Sequence, residues 1–122
     1  MNWRRAHWIT GTTALAVFLL SGAYMRWIRQ VPQLDDVTRA VYRSRHLFLL
    51  LSAALNLALP LAPSAERRAR QVVSVLVLAA PALFLAAFAV EPADGIQGAP
   101  YSQTALYLLF AASVILVRIG RS

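Results

Sequence analysis

The chain has 122 residues, of which 59% are apolar and 14% are charged, and its formal net charge is +7. The mean hydropathy is +0.58. These values exclude a disordered chain and an ordinary soluble globule, and the lack of cysteine excludes disulfide-stapled domains and thiolate metal sites. One domain, residues 1–122, suffices for this length. Every basic residue is arginine, which together with the abundant alanine and leucine indicates a GC-rich bacterial genome.

Charged residues are absent from four long stretches, which are residues 6–25, 46–65 and 71–90, of 20 residues each, and 95–117, of 23. A 20-residue helix is about 30 Å long, which matches the hydrocarbon core of a bilayer. The sequence therefore predicts an all-α integral membrane protein, a four-transmembrane-helix antiparallel bundle surrounded by lipid. The arginines lie at span ends, which argues against a nucleic-acid partner. The predicted spans are 8–27, 44–62, 70–90 and 102–118.

Small residues share one face of the first span, namely Gly11, Ala14, Ser21 and Gly22. Such a face lets another helix approach closely, so we expect it to be a packing surface. The paired arginines before this span and the small residues at 21–23 also resemble a cleaved secretory signal. The tryptophans at both ends of the span favour a retained helix instead.

The second span belongs to a helix that starts outside the hydrocarbon. Asp35 is a suitable N-cap, and a helix from there to Pro60 is about 36 Å long, so its first turns stand in the headgroup region. Arg45, Ser52 and Asn56 follow one another at helical spacing and form a polar stripe. An amide within hydrocarbon usually hydrogen-bonds to a neighbouring helix. The candidate partners on span 3 are Gln71 and Ser74.

Prolines and a serine mark the last two spans. Pro81 lies near the middle of span 3 and deprives the carbonyl of Val77 of its helical partner, which predicts a kink. Pro92 is expected to end that helix, and Ser102 is expected to be the N-cap of span 4.

One cluster of polar residues stands out at one membrane face. With four spans, the start of span 2 and the end of span 3 lie at the same level. Glu91 is at a helix C-terminus bordering hydrocarbon, where an unpaired carboxylate is unfavourable. We therefore expect Glu91 to pair with Arg45, Arg43 or His46. This candidate structural or binding cluster consists of Arg39, Tyr42, Arg43, Arg45, His46 and Glu91.

The sequence offers no nucleophile, metal cluster or cofactor motif. Its two histidines, His7 and His46, start spans on opposite sides, so one molecule cannot place both on one haem. No cofactor and no enzymatic activity are predicted. The favoured function is an accessory subunit, assembly helper or scaffold that binds a membrane-protein partner or another copy of itself. The alternative is a binding or transport module that holds an anionic lipid, a quinone or a small anion at the cluster.

Orientation follows from the arginines at the span ends. If the N-terminus is cytoplasmic, seven arginines lie on the cytoplasmic side and five on the other. The positive-inside rule then places both termini in the cytoplasm, with the protein in the bacterial inner membrane.

Overall fold

The computed structural model describes residues 2–62, 66–94 and 99–120, without the side chains of Asp94 and Gly120. Most of the described residues are helical, and none of them is in a strand. The four long helices are α1 (Trp3–Ala23), α2 (Asp36–Ala58), α3 (Arg67–Asp94) and α4 (Pro100–Gly120). All four are long and apolar enough to cross a membrane, so the described residues contain the predicted number of candidate spans and confirm the all-α class.

The connection between α1 and α2 is itself largely helical. A π-helical turn, Tyr24–Ile28, continues α1, and Gln30 then adopts the left-handed conformation with φ 53°. After the 3-10 turn Val31–Gln33, the side chain of Asp35 accepts a hydrogen bond from the Thr38 N–H at 3.0 Å. The predicted N-cap of α2 is thereby confirmed.

Two predicted helix ends are wrong. α3 continues through Pro92 to Asp94. The proline removes one helical hydrogen bond, and the described part of α3 continues past it for two residues. α4 begins at Pro100, because a proline suits the first helical position, where its missing N–H is not needed. Ser102 is therefore in the first turn of α4 and is not its N-cap.

Helices that are neighbours in sequence pack against each other. α1 packs mainly on α2, α2 on α3, and α3 on α4, while α1 and α3 share a smaller contact. The large side chains of Leu49, Val73 and Phe84 are fully buried at the centre. α4 buries a single stripe of its surface, formed by Ser102, Ala105, Leu109 and Ala112.

The small-residue face of α1 is its interface with α2, as predicted. His7, Gly11, Ala14 and Ser21 are the buried residues of α1. A Cβ atom on Gly11 would lie 2.7 Å from Cγ of Leu57, and one on Gly22 would lie 3.2 Å from Cε1 of His46. The absence of a side chain at these glycines lets the two helix backbones approach closely.

Candidate functional site

The predicted ion pair joins Arg45 of α2 to Glu91 of α3. The Nε of Arg45 donates to Oε2 of Glu91 at 2.6 Å, and Glu91 is 0% exposed. The expectation that Glu91 pairs with the start of span 2 is thus confirmed, with Arg45 as the partner. The Arg45 side chain is 13% exposed, and its Nη1 also donates to the Ser44 hydroxyl at 2.9 Å.

Glu91 also binds the beginning of α4. Its Oε1 accepts from the Ser102 N–H at 2.9 Å, and its Oε2 accepts from the Ser102 hydroxyl. A carboxylate at a helix N-terminus interacts favourably with the helix dipole and satisfies an N–H that has no partner within the helix. The three residues Arg45, Glu91 and Ser102, here called the Glu91 cluster, therefore connect α2, α3 and α4.

A second set of buried polar groups meets at Asn56, which is 0% exposed. Its Nδ2 donates to the carbonyl oxygens of Ser52 at 2.9 Å and Val77 at 3.0 Å, and its Oδ1 lies 2.8 Å from Nδ1 of His7. The Val77 carbonyl is the one that Pro81 leaves without a helical donor. His7, Asn56 and the Val77 carbonyl, here called the Asn56 cluster, connect α1, α2 and α3.

The hydrogen bonds of Asn56 also determine the tautomer of His7. Both amide hydrogens of Asn56 are directed at carbonyls, so only its oxygen faces the ring and the Nδ1 of His7 must be the donor. The Nε2 of neutral His7 then carries a lone pair. This Nε2 is buried and has no hydrogen-bond partner among the residues that the structure describes.

The second histidine is held in the same way at the other end of the α1–α2 interface. The Ser21 hydroxyl donates to the carbonyl of Phe18 at 2.8 Å, so its oxygen is left to accept from Nδ1 of His46, also at 2.8 Å. The ring of His46 stacks on that of Phe18, with centroids 4.2 Å apart. His46 therefore binds α1 rather than Glu91.

The other members of the predicted cluster are separate from Glu91. Arg39 pairs with Asp36 one turn earlier and donates to the Pro32 carbonyl at 3.2 Å. Tyr42 is buried, and its hydroxyl accepts from Nε of Arg29 at 3.0 Å. Arg43 is exposed and has no ion pair with a described carboxylate.

The remaining polar residues of the spans have structural positions. Ser52 is fully buried and donates to the Leu49 carbonyl at 2.9 Å within α2. Gln71 is exposed and Ser74 is buried, but neither is a partner of Asn56, which binds His7 and the Val77 carbonyl instead. The difference arises because Val77, one turn further into α3, presents a free carbonyl acceptor at that level.

Sequence reasoning did not connect His7 with Asn56 or Ser102 with Glu91. The sequence contained an indication of the first pair, because an antiparallel α1 and α2 bring the start of one helix to the end of the other.

Within the described ranges, no group of three or more His, Cys, Asp or Glu side chains is arranged to hold a metal ion. Chemically, the Glu91 and Asn56 clusters satisfy buried charges and backbone groups between helices. Comparison of the chain with protein-family models, curated proteins and solved structures finds no match.

Proposed function

We propose that the protein is a non-catalytic, four-span accessory or scaffold subunit of a membrane-protein complex. The observation that carries this proposal is the use made of the buried polar side chains. Four of these side chains form hydrogen bonds to helices other than their own, namely those of Glu91, Arg45, Asn56 and His7. Their polar groups therefore serve to fix the positions of the helices relative to each other. Buried ion pairs and amides of this kind specify register and orientation more than they add stability.

The outer surface of α4 supports the same proposal. α4 contacts the rest of the chain mainly through the stripe that packs on α3, and Tyr107 and Phe110 on its other faces are each 70% exposed. Aromatic side chains are enriched where protein surfaces bind partners. We therefore propose that this face of α4 contacts a transmembrane helix of the partner.

Site-specific photo-crosslinking in the native membrane tests this contact. A photoreactive residue at position 110 should join the chain to one other polypeptide of constant mass. The same residue in place of Ala105, which is 0% exposed and faces α3, is the matched control and should give no crosslink to another chain. Crosslinks only to lipid, or only to a second copy of this chain, contradict the accessory-subunit proposal.

We further propose that the protein lies in a bacterial inner membrane with both termini in the cytoplasm, on the basis of the arginine distribution. Because the chain has no cysteine, single substitutions report the orientation cleanly. Val37→Cys, at the exposed start of α2, should react with a membrane-impermeant maleimide in intact cells. Ser122→Cys should react only after permeabilisation, and the reverse pattern contradicts this orientation.

A further inference from the structure

An apolar groove runs along the bundle between α1 and α3. It consists of two adjoining cavities of about 260 Å³ and 360 Å³, which share Val17 and Leu85 as lining residues. Leu49 and Tyr42 of α2 form part of its lining. The groove exists because α1 and α3 share only a small contact while both pack on α2.

The groove is long enough for a lipid chain. Its lining on α1 extends from Ile9 to Tyr24, a separation that corresponds to about 22 Å at 1.5 Å per residue. One leaflet of the hydrocarbon core is about 15 Å thick, half of the bilayer value. An acyl chain that enters at the Tyr24 end can therefore lie in the groove over the full depth of its leaflet.

The guanidinium group of Arg29 lies at the Tyr24 end of the groove, where it contacts Tyr42. The hydroxyl of Tyr42 accepts a hydrogen bond from Nε of Arg29, and the Arg29 guanidinium carbon lies 6.0 Å from the centre of the Tyr42 ring. Phe88 packs edge-on against both Tyr24 and Tyr42, which holds this aromatic wall in place. Arg29 has no ion pair with a carboxylate in the part of the chain that the structure describes.

We propose that this groove binds one anionic phospholipid, with an acyl chain against Val17 and Leu85 and the phosphate on Arg29. The guanidinium is the side chain best suited to bind a phosphate, because it can donate two parallel hydrogen bonds. The Tyr42 hydrogen bond uses Nε and leaves the Nη donors of Arg29 for the ligand. The proposed site gives Arg29 an anionic partner. Two other arginines at this end of the bundle, Arg39 and Arg45, already have carboxylate partners. It does not depend on the proposed accessory role.

Native mass spectrometry of the purified chain with added phosphatidylglycerol or phosphatidylcholine tests the headgroup contact. One basic residue near an anionic headgroup contributes about 1 kcal/mol, which corresponds to about a five-fold preference for phosphatidylglycerol. Arg29→Gln should abolish this preference, and Arg29→Lys should keep most of it because the charge remains. Arg43→Gln removes an exposed arginine outside the groove and should leave the preference unchanged.

A second pair of variants tests the groove itself. Ala89 lines the groove, so Ala89→Phe should fill it and reduce retention of both lipids by several-fold. Val90 is 46% exposed and does not line the groove, so Val90→Phe is the matched control. The proposal is overturned if Arg43→Gln removes the preference as fully as Arg29→Gln, which indicates general surface charge. It is also overturned if the Ala89→Phe and Val90→Phe variants retain lipid equally. That result indicates that the groove holds no specific lipid and is covered by a partner helix or by bulk lipid.

Discussion

Removal of the charge on Glu91 should destabilise the bundle more than any surface substitution. Glu91 is 0% exposed and accepts from Arg45 and from both donors of Ser102. Glu91→Gln keeps the shape of the side chain but leaves the Arg45 cation, whose side chain is only 13% exposed, without its counter-charge. Breaking a buried ion pair from one side costs about 3–5 kcal/mol. Because Arg45 is expected to lie near the membrane surface, we expect a loss at the lower end of this range. The free energy of unfolding should fall by about 3 kcal/mol, a more than 100-fold change in the unfolding equilibrium.

Reversible unfolding in mixed micelles, with a titration of denaturing detergent, measures this free energy. The double variant Arg45→Gln/Glu91→Gln should cost less than the sum of the two single variants by about 1–3 kcal/mol, because the penalty arises from the unpaired partner. Arg39→Gln is the control, since Asp36 is 90% exposed and exposed pairs contribute about 0–1 kcal/mol. A loss below about 0.5 kcal/mol for Glu91→Gln, or full additivity in the double variant, refutes the structural role of the pair.

Two further predictions concern the Asn56 cluster and the start of α2. Asn56→Leu should cost about 1–3 kcal/mol, because it leaves the Val77 carbonyl and the Nδ1 of His7 without their partners. The part due to Val77 should disappear in a Pro81→Ala background, which restores a helical N–H to that carbonyl, so equal costs in both backgrounds contradict the explanation. The hydrogen bond from Thr38 lowers the pKa of Asp35 below its ordinary value. Asp35 therefore stabilises the start of α2 at pH above the ordinary aspartate pKa, and this contribution is lost as the pH falls through the lowered one. The protection of the Thr38 amide against hydrogen exchange, relative to the intrinsic rate at each pH, should show this loss. Asp35→Asn keeps the acceptor and should remove the pH dependence of that protection.

Local rules were sufficient for much of this structure. The four long apolar helices follow from charge-free length, the cap at Asp35 from residue type, and the packing face of α1 from the spacing of Gly11 and Gly22. The ion pair at Glu91 followed from its level in the membrane and from the energetic cost of burying an unpaired carboxylate. These inferences require only the residue types and their spacing, the chain direction and the thickness of a membrane.

The remaining contacts depend on how the helices rotate and slide against each other. The contact of Asn56 with the Val77 carbonyl requires the register between α2 and α3, although the effect of Pro81 on that carbonyl was evident from the sequence. The binding of His46 to Ser21 rather than Glu91 depends on which face of α2 turns towards α1. The start of α4 at Pro100 follows the local preference of proline for the first helical position, but the contact of Ser102 with Glu91 depends on the register between α3 and α4.

We propose that the buried polar groups hold a preformed bundle whose outer surface binds another membrane protein. Native mass spectrometry of the complex, released from its own membrane into mild detergent, tests this most directly. We expect a complex of constant mass that contains this chain and a different polypeptide in a fixed ratio. A chain released alone, or only with copies of itself, contradicts it.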